Sequence, residues 1–295
     1  MNNLILQILN GLQIGSIYAL VALGYTMVYG IAKLINFAHG DILMIGAYTA
    51  LFSVPFLQKI GLPVYLSILP AIIVCCLLGV LIEKTAYKPL RNSPRIANLI
   101  TAIGVSLLLE NLVMTFVGTG SKPFPRVFDR PPLSVGNIDI NFNIIITILV
   151  TSALTVLLQI FMKMTKFGRA MLATSEDIEA ASLVGINPDR SISLTFAIGS
   201  GLAAIGSLLY VASYPQISPM MGMMLGIKAF VAAVIGGIGS VPGAAIGGMI
   251  LGIVEALTKA YISTALGDAF VFGILILVLL FKPTGLFGSE QKEKV

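Results

Sequence analysis

The stretch Lys166–Arg190, KFGRAMLATSEDIEAASLVGINPDR, is a polar interruption in an otherwise apolar chain. Long apolar runs flank it on both sides. Seven of its residues are charged: Lys166, Arg169, Glu176, Asp177, Glu179, Asp189 and Arg190. A charge at mid-bilayer costs roughly 2.5–3.5 kcal/mol, so such a set would cost on the order of 20 kcal/mol. The flanking runs can lie in lipid, but this segment needs water or another protein around it. Local signals give it structure. Ser175 is placed to N-cap a helix, with Glu176 and Asp177 in the first turn at the positive end of the dipole. Ile178, Ala181 and Leu183/Val184 make a small apolar face over about two turns. Gly185 then stands as the C′ residue, and Asn187-Pro188 bars continuation. The expectation is a short, capped, amphipathic helix outside a membrane domain.

Such a helix can cover lipid headgroups or dock into a soluble partner. Membrane-surface helices carry Lys and Arg on the polar face and large apolar residues opposite. Here the polar face is acidic and Ala180 and Ala181 sit at the centre of the apolar face. That composition favours a helix seated in a protein groove.

The flanking runs set the fold class. Of 295 residues, 57% are apolar and 11% charged, against about 25% charged in soluble domains. Mean hydropathy is +0.98. The sequence predicts an all-α, polytopic membrane domain over 1–295. Period-2 alternation is absent, which argues against a transmembrane barrel. The net charge of +5 does not indicate nucleic acid, because the basic residues are scattered through short loops rather than gathered on a face.

Predicted spans are Leu4–Tyr29, Phe37–Leu57, Leu62–Ile82, Ile96–Val117, Phe142–Met162, Ser191–Ala212 and Ala269–Phe281. Glu83–Arg95 reads as a basic loop and Gly118–Asn141 as a long proline-rich one. Gly226–Tyr261 differs. Two apolar segments flank Gly236-Gly237-Ile238-Gly239-Ser240-Val241-Pro242-Gly243, and the first is too short to span comfortably. This reads as a broken-helix hairpin. Irregular backbone at membrane depth must be covered by protein or face a watery cavity, so the hairpin should be interior. Seven full spans plus the hairpin place the termini on opposite sides. The positive-inside rule puts Lys33, the Glu83–Arg95 loop, Lys163–Arg190 and the C-terminal tail in the cytoplasm, with the N-terminus outside. Gly11-x₃-Gly15 could make a close helix contact.

The chain lacks several chemistries. His39 is its single histidine, so no His-Glu-x-x-His zinc site exists. Adjacent Cys75 and Cys76 read as small core residues, not metal ligands or a disulfide. No GxxxxGK[ST] loop occurs, so ATP hydrolysis would have to come from another subunit. The ionisable residues within spans are Glu110, Lys228, Glu255, Lys259 and Asp268. Glu255 and Lys259 stand at i,i+4 and can neutralise each other, and no proton relay is evident. Asn36–Asp41 reads either as an interfacial helix start or as a gate cluster. Asn36, His39, Gly237, Gly239 and Ser240 are the pathway candidates. An ion-coupled carrier or channel is the alternative from another class.

Glu179-Ala180-Ala181, followed by Gly185, resembles the EAA loop of ABC importer permeases. The further Ile-x-Leu-Pro element is represented only by Ile192-Ser193-Leu194, without proline. GLQIGSIYALVALGYTMVYGIAKLINFAHGDILMIGAY (Gly11–Tyr48) and VAAVIGGIGSVPGAAIGG (Val231–Gly248) are similar to segments of Liv-type, branched-chain amino acid permeases. The resemblance implies a non-enzymatic permease subunit in a bacterial inner membrane, with no cofactor of its own. It implies two ATP-binding subunits, a second permease subunit, the same or related, and a periplasmic or surface substrate-binding protein. Arg169, Glu176, Asp177, Glu179, Ala180, Ala181 and Gly185 would form the ATPase-coupling element. Related permeases carry urea or short amides, which stay open as substrates.

Overall fold

The computed structural model describes residues 2–91, 93–135 and 138–288. Among these, eight helices are long and apolar enough to cross a membrane. The first is α1 (Asn2–Ala32), followed by α2 (His39–Lys59). A 3₁₀ turn at Val64–Ser67, directly after Pro63, leads into α3 (Ile68–Ile82). The predicted basic loop is shorter than the sequence suggests. Helical backbone continues beyond α3 through a wide turn at Glu83–Tyr87 and a tight one at Lys88–Leu90. Buried Glu83 and Tyr87 keep that extension packed. Then come α4 (Arg95–Val117) and α5 (Phe142–Met164).

The polar stretch forms α6 (Lys166–Glu176) and α7 (Ile178–Leu183) and leads into α8 (Pro188–Ser213). The glycine-rich region forms α9 (Met221–Gly236) and α10 (Val241–Tyr261), and α11 (Gly267–Phe281) follows. The short first arm is as expected: 16 residues rise about 24 Å against a hydrocarbon core of about 30 Å. The second arm is a 21-residue helix that is long enough to cross alone. The hairpin therefore adds one full span and one shorter helix that runs the opposite way beside it, so the pair returns the chain to the side on which it entered.

Short strands mark one end of the bundle. β1 (Lys122–Pro123) lies in the proline-rich connection, together with β2 (Leu133–Val135) and β3 (Ile138–Ile140). β2 and β3 form an antiparallel pair. β1 pairs antiparallel with β4 (Gln216–Ile217), between α8 and α9. This is the strand end. The opposite end, with α6, α7 and the α9–α10 turn, is the loop end.

Helices α1, α2, α8 and α10 form the centre, with α9 against them. The outer helices show large apolar side chains to the surroundings, such as Leu77 on α3, Phe116 on α4 and Leu280 on α11. This inside-out pattern is what a lipid solvent permits. Without a hydrophobic force between helices, small residues must supply close contact. Gly11 and Gly15 of α1 meet Gly248 and Gly252 of α10, backbone against backbone. The sequence pattern Gly11-x₃-Gly15 thus finds its partner in a second glycine pair of the same spacing.

Candidate functional site

The polar stretch is built by successive caps. The Thr165 side chain accepts from the Gly168 N–H and starts α6. Asp177 ends α6, donating its N–H to the Ala173 carbonyl, and starts α7 by accepting from the Ala180 N–H at 2.9 Å. The cap predicted at Ser175 is therefore Asp177. Ser175 lies inside α6, where its hydroxyl donates to the Leu172 carbonyl. The helix begun at Thr165 runs through Ser175 and stops only where a second capping residue is available.

Gly185 ends α7 as predicted. Its φ is +84°, the left-handed region, and the following Ile186 N–H donates back to the Ala181 carbonyl. Asn187 then caps α8 by accepting from the Arg190 N–H.

The apolar face is split. Ala181 is 3% exposed and turns into the protein. Leu183 and Val184 are 88% and 76% exposed. Arg169, Glu176, Glu179 and Ala180 are exposed as well. The predicted single face of Ile178, Ala181 and Leu183/Val184 does not form. One small residue anchors the helix, and the larger apolar ones project outward.

The far end of the loop is clamped. Arg91 bridges buried Glu83, at 2.9 Å, and Asp189 at the start of α8. Lys88 adds a contact to Asp189 at 2.7 Å, and the Ser193 hydroxyl donates to Glu83 at 2.6 Å. The segment after α3 and the first turn of α8 are held as one unit.

A cavity of about 860 Å³ lies at the loop end. Its walls come from Thr26 and Met27 of α1, Asn98 of α4, Met162 of α5 and Ser175 and Glu176 of α6. Gly239 and Ser240 of the α9–α10 turn complete it, with Pro283, Thr284 and Phe287 after α11. Of the predicted pathway residues, Gly239 and Ser240 border this cavity. Gly239 faces open space and is not closely packed, whereas Gly243 abuts the Gly236 carbonyl. Gly237 packs against Gly285 and Gly288. His39 is 1% exposed and wedged against Gly24, edge-on to Tyr25. Asn36 accepts a hydrogen bond from the Tyr87 hydroxyl at 2.9 Å. Neither Asn36 nor His39 borders the cavity. Thr26 and Asn98 do, and nothing in their local sequence distinguishes them.

An ionic cluster centred on buried Lys228 and Glu255, with Asp268 and Lys259 half-exposed at its edge, joins four helices. Lys228 of α9 contacts Glu255 of α10 and Asp268 of α11, each at 2.7 Å. Lys259 also reaches Glu255, as the i,i+4 spacing predicts. The Tyr18 hydroxyl of α1 donates to the other Glu255 oxygen at 2.8 Å. Two cations balance two anions. Replacing Lys228 with methionine should leave Asp268 without its cation and Glu255 half-paired. Removing one partner of a buried pair costs about 3–5 kcal/mol. We expect a clear fall in the melting temperature of the detergent-solubilised protein. Lys259→Met, at a partly exposed position, should lower it much less.

Membrane-length helices around a cavity that borders a capped polar loop define a polytopic helical membrane permease. Comparison with known proteins gives the family. The model for the branched-chain amino acid transport system / permease component matches residues 7–279. The chain is 46% identical over 300 residues to the high-affinity branched-chain amino acid transport system permease protein LivH of Escherichia coli, covering 98% of this chain and 97% of that protein. It is 44% identical over 298 residues to permease protein BraD of Pseudomonas aeruginosa, with the same coverage. A probable LivH of Methanocaldococcus jannaschii is 30% identical over 295 residues, covering 94% of this chain and 90% of that one. The chain belongs to the branched-chain amino acid permease family.

Proposed function

We propose that the chain is the membrane-spanning subunit of an ABC importer for branched-chain amino acids in a bacterial inner membrane. It is a single permease domain with no cofactor of its own, and ATP is used by two separate ATP-binding subunits. A second permease chain, identical or related, completes the pore, and a periplasmic or surface-tethered binding protein delivers the amino acid. The N-terminus lies outside and the C-terminus in the cytoplasm. Charge supports this orientation, since Lys33, Lys84, Lys88, Arg91, Arg95, Lys163, Lys166, Arg169, Arg190 and Lys282 all fall at the loop end or in the sequence connections leading to it. Lys292 and Lys294, counted with them, lie outside the described residues.

The observation that carries the reading is the outward face of α7. Ala180, Leu183 and Val184 are bare, while Ala181 seats the helix on its own chain. That face suits a groove on a soluble partner. Force on it has a short route to the cavity. Asp177 joins α7 directly to the last turn of α6, whose Ser175 and Glu176 are cavity wall. The Arg91 clamp ties the other end of the loop, at the first turn of α8, to the segment after α3. A partner that closes over α7 therefore moves a wall of the cavity, not a free loop.

Purified from its host in mild detergent, the tagged chain should bring ATP-binding polypeptides with it. ATP hydrolysis by the complex should rise with leucine-loaded binding protein. Recovery of the chain alone, with leucine uptake driven by an ion gradient in ATP-depleted vesicles, would replace this reading with an ion-coupled carrier. Competition by urea or a short amide, and not by leucine, would change the substrate. Orientation is checked separately. A cysteine at Asn3, in a background without Cys75 and Cys76, should react with an impermeant thiol reagent in intact cells. One at Ser93 should react only after permeabilisation, and the reverse pattern would invert the topology.

A further inference from the structure

We propose that residues 282–288, just after the last helix, are a positioning strap that holds the α9–α10 turn and sets how far that turn opens the cavity. The role in transport rests on the function proposed above, whereas the holding of the turn does not.

The strap begins where Lys282-Pro283 ends α11. The Gly285 N–H donates to the Lys282 carbonyl at 2.8 Å, and Gly285 takes a φ of +78°. The chain then runs beside the C-terminus of α9. The Leu286 N–H donates to the Ile235 carbonyl at 2.8 Å, and the Phe287 N–H donates to the Gly236 carbonyl at 3.0 Å. These acceptors belong to the last turn of α9, whose carbonyls have no partner within the helix. The end of α9 is also buried: Ile235 is 1% exposed, and Gly236 and Gly237 are buried beside it. A carbonyl left unpaired there is costly. The strap supplies the missing donors from a segment about 50 residues further along the chain.

The fit needs glycine on both sides. A Cβ on Gly285 would lie 2.5 Å from the Gly237 Cα and 2.5 Å from the Val234 carbonyl oxygen. A Cβ on Gly237 would lie 2.9 Å from the Gly288 Cα. The colliding atoms are backbone and cannot turn aside. Both glycines also have positive φ, +78° and +101°. The Lys282 ammonium donates to the Leu286 carbonyl at 2.9 Å and closes the strap on itself.

Position gives the strap its role. Pro283, Thr284 and Phe287 border the same cavity as Gly239 and Ser240 of the turn and Glu176 of α6. With the strap engaged, the carbonyls of Ile235 and Gly236 are bonded and the turn is fixed. With the strap withdrawn, Gly237 and Gly239 are free to rotate and the cavity wall can move. A simple helix cap would need the two hydrogen bonds but would not govern access to Ser240.

The test compares Leu286→Pro with Leu286→Ala in the full chain, expressed with its natural partner subunits. Leu286 is 39% exposed, so neither change disturbs a core. Proline removes the N–H that bonds Ile235, and alanine keeps it. Each is combined with Ser240→Cys in a background lacking Cys75 and Cys76. In membrane vesicles, Leu286→Pro should speed thiol labelling of the Ser240→Cys position by about fivefold, the shift that loss of one hydrogen bond produces. The maximal rate of leucine uptake should fall with KM little changed, and Leu286→Ala should match the parent in both readouts. Gly285→Val, which separates the two backbones, should move both readouts further in the same direction. Equal labelling and equal uptake for the proline and alanine variants, at equal membrane levels, would overturn the proposal and leave only a passive cap. A rise in labelling without any leucine transport by the parent would support the strap while overturning the transport reading.

Discussion

Leu183→Asp is expected to strip the ATP-binding subunits from the purified chain and abolish leucine uptake, while the chain itself reaches the membrane at near-normal levels. Leu183 is 88% exposed, and surface substitutions of that kind change a chain's own stability by about 0.5 kcal/mol or less. In the proposed complex the same position is covered by a partner groove. An aspartate there would be a buried carboxylate with no designed partner, at a cost of several kcal/mol. Since about 1.4 kcal/mol is a factor of ten, the complex should weaken by at least about a hundredfold. Ala181→Arg is the wrong instrument for this question. Ala181 is 3% exposed and faces its own chain, so that variant would damage the loop whether or not a partner exists. Ala180→Arg, on the exposed side, should behave as Leu183→Asp does. If both outward variants keep their ATPase and transport leucine normally, α7 is only a cover for the membrane surface.

The choice between Leu183 and Ala181 shows where the sequence was informative. Most ends of the apolar runs were readable within about three residues, because lipid imposes length and hydrophobicity directly; the third was not, since α3 begins at Ile68 and helical backbone continues past Ile82 to Leu90. Gly185 was readable because a left-handed helix end has a residue signature. Ser175 misled, since it and Asp177 are both good capping residues. The decision between them lay upstream at Thr165, which starts an amphipathic helix that buries Gly168, Met171 and Thr174 along one side and so carries through Ser175. The orientation of α7 was not readable either. Six residues make fewer than two turns, and one contact at Ala181 fixes which side faces in. Glu255 with Lys259 was visible at i,i+4, but Lys228 finds Glu255 only through an α9–α10 contact 27 residues apart in sequence. The cavity draws on several separate helices and the residues after α11. The strap bonds through backbone groups, and Gly237 and Gly285, which its fit requires, lie too far apart in sequence to be paired by eye.

Gly252→Leu is expected to have the largest effect of all, eliminating folded protein. A Cβ at Gly252 would overlap the Gly15 backbone and the Gly11 carbonyl oxygen. From the other side, a Cβ on Gly15 would lie 2.7 Å from the Gly248 carbonyl, and one on Gly11 would lie 2.6 Å from the Ile253 Cα. Leucine adds three more carbons to that first overlap. None of the colliding atoms is a flexible side chain, so α1 would have to leave α10. The Tyr18–Glu255 hydrogen bond lies across the same helix pair, and Lys228 depends on the same carboxylate. Separation would therefore open the ionic cluster as well. Overpacking a core costs about 1–3 kcal/mol where side chains can adjust, and here they cannot, so the cost should exceed that range. Gly104→Leu and Gly273→Leu are the matched controls, on α4 and α11, where a Cβ meets nothing within 4 Å. Both should accumulate in the membrane like the parent, whereas Gly252→Leu and Gly15→Leu should be degraded or elute as aggregate on size exclusion. A monodisperse, transport-competent Gly252→Leu protein would show that α1 and α10 do not cross at their glycines.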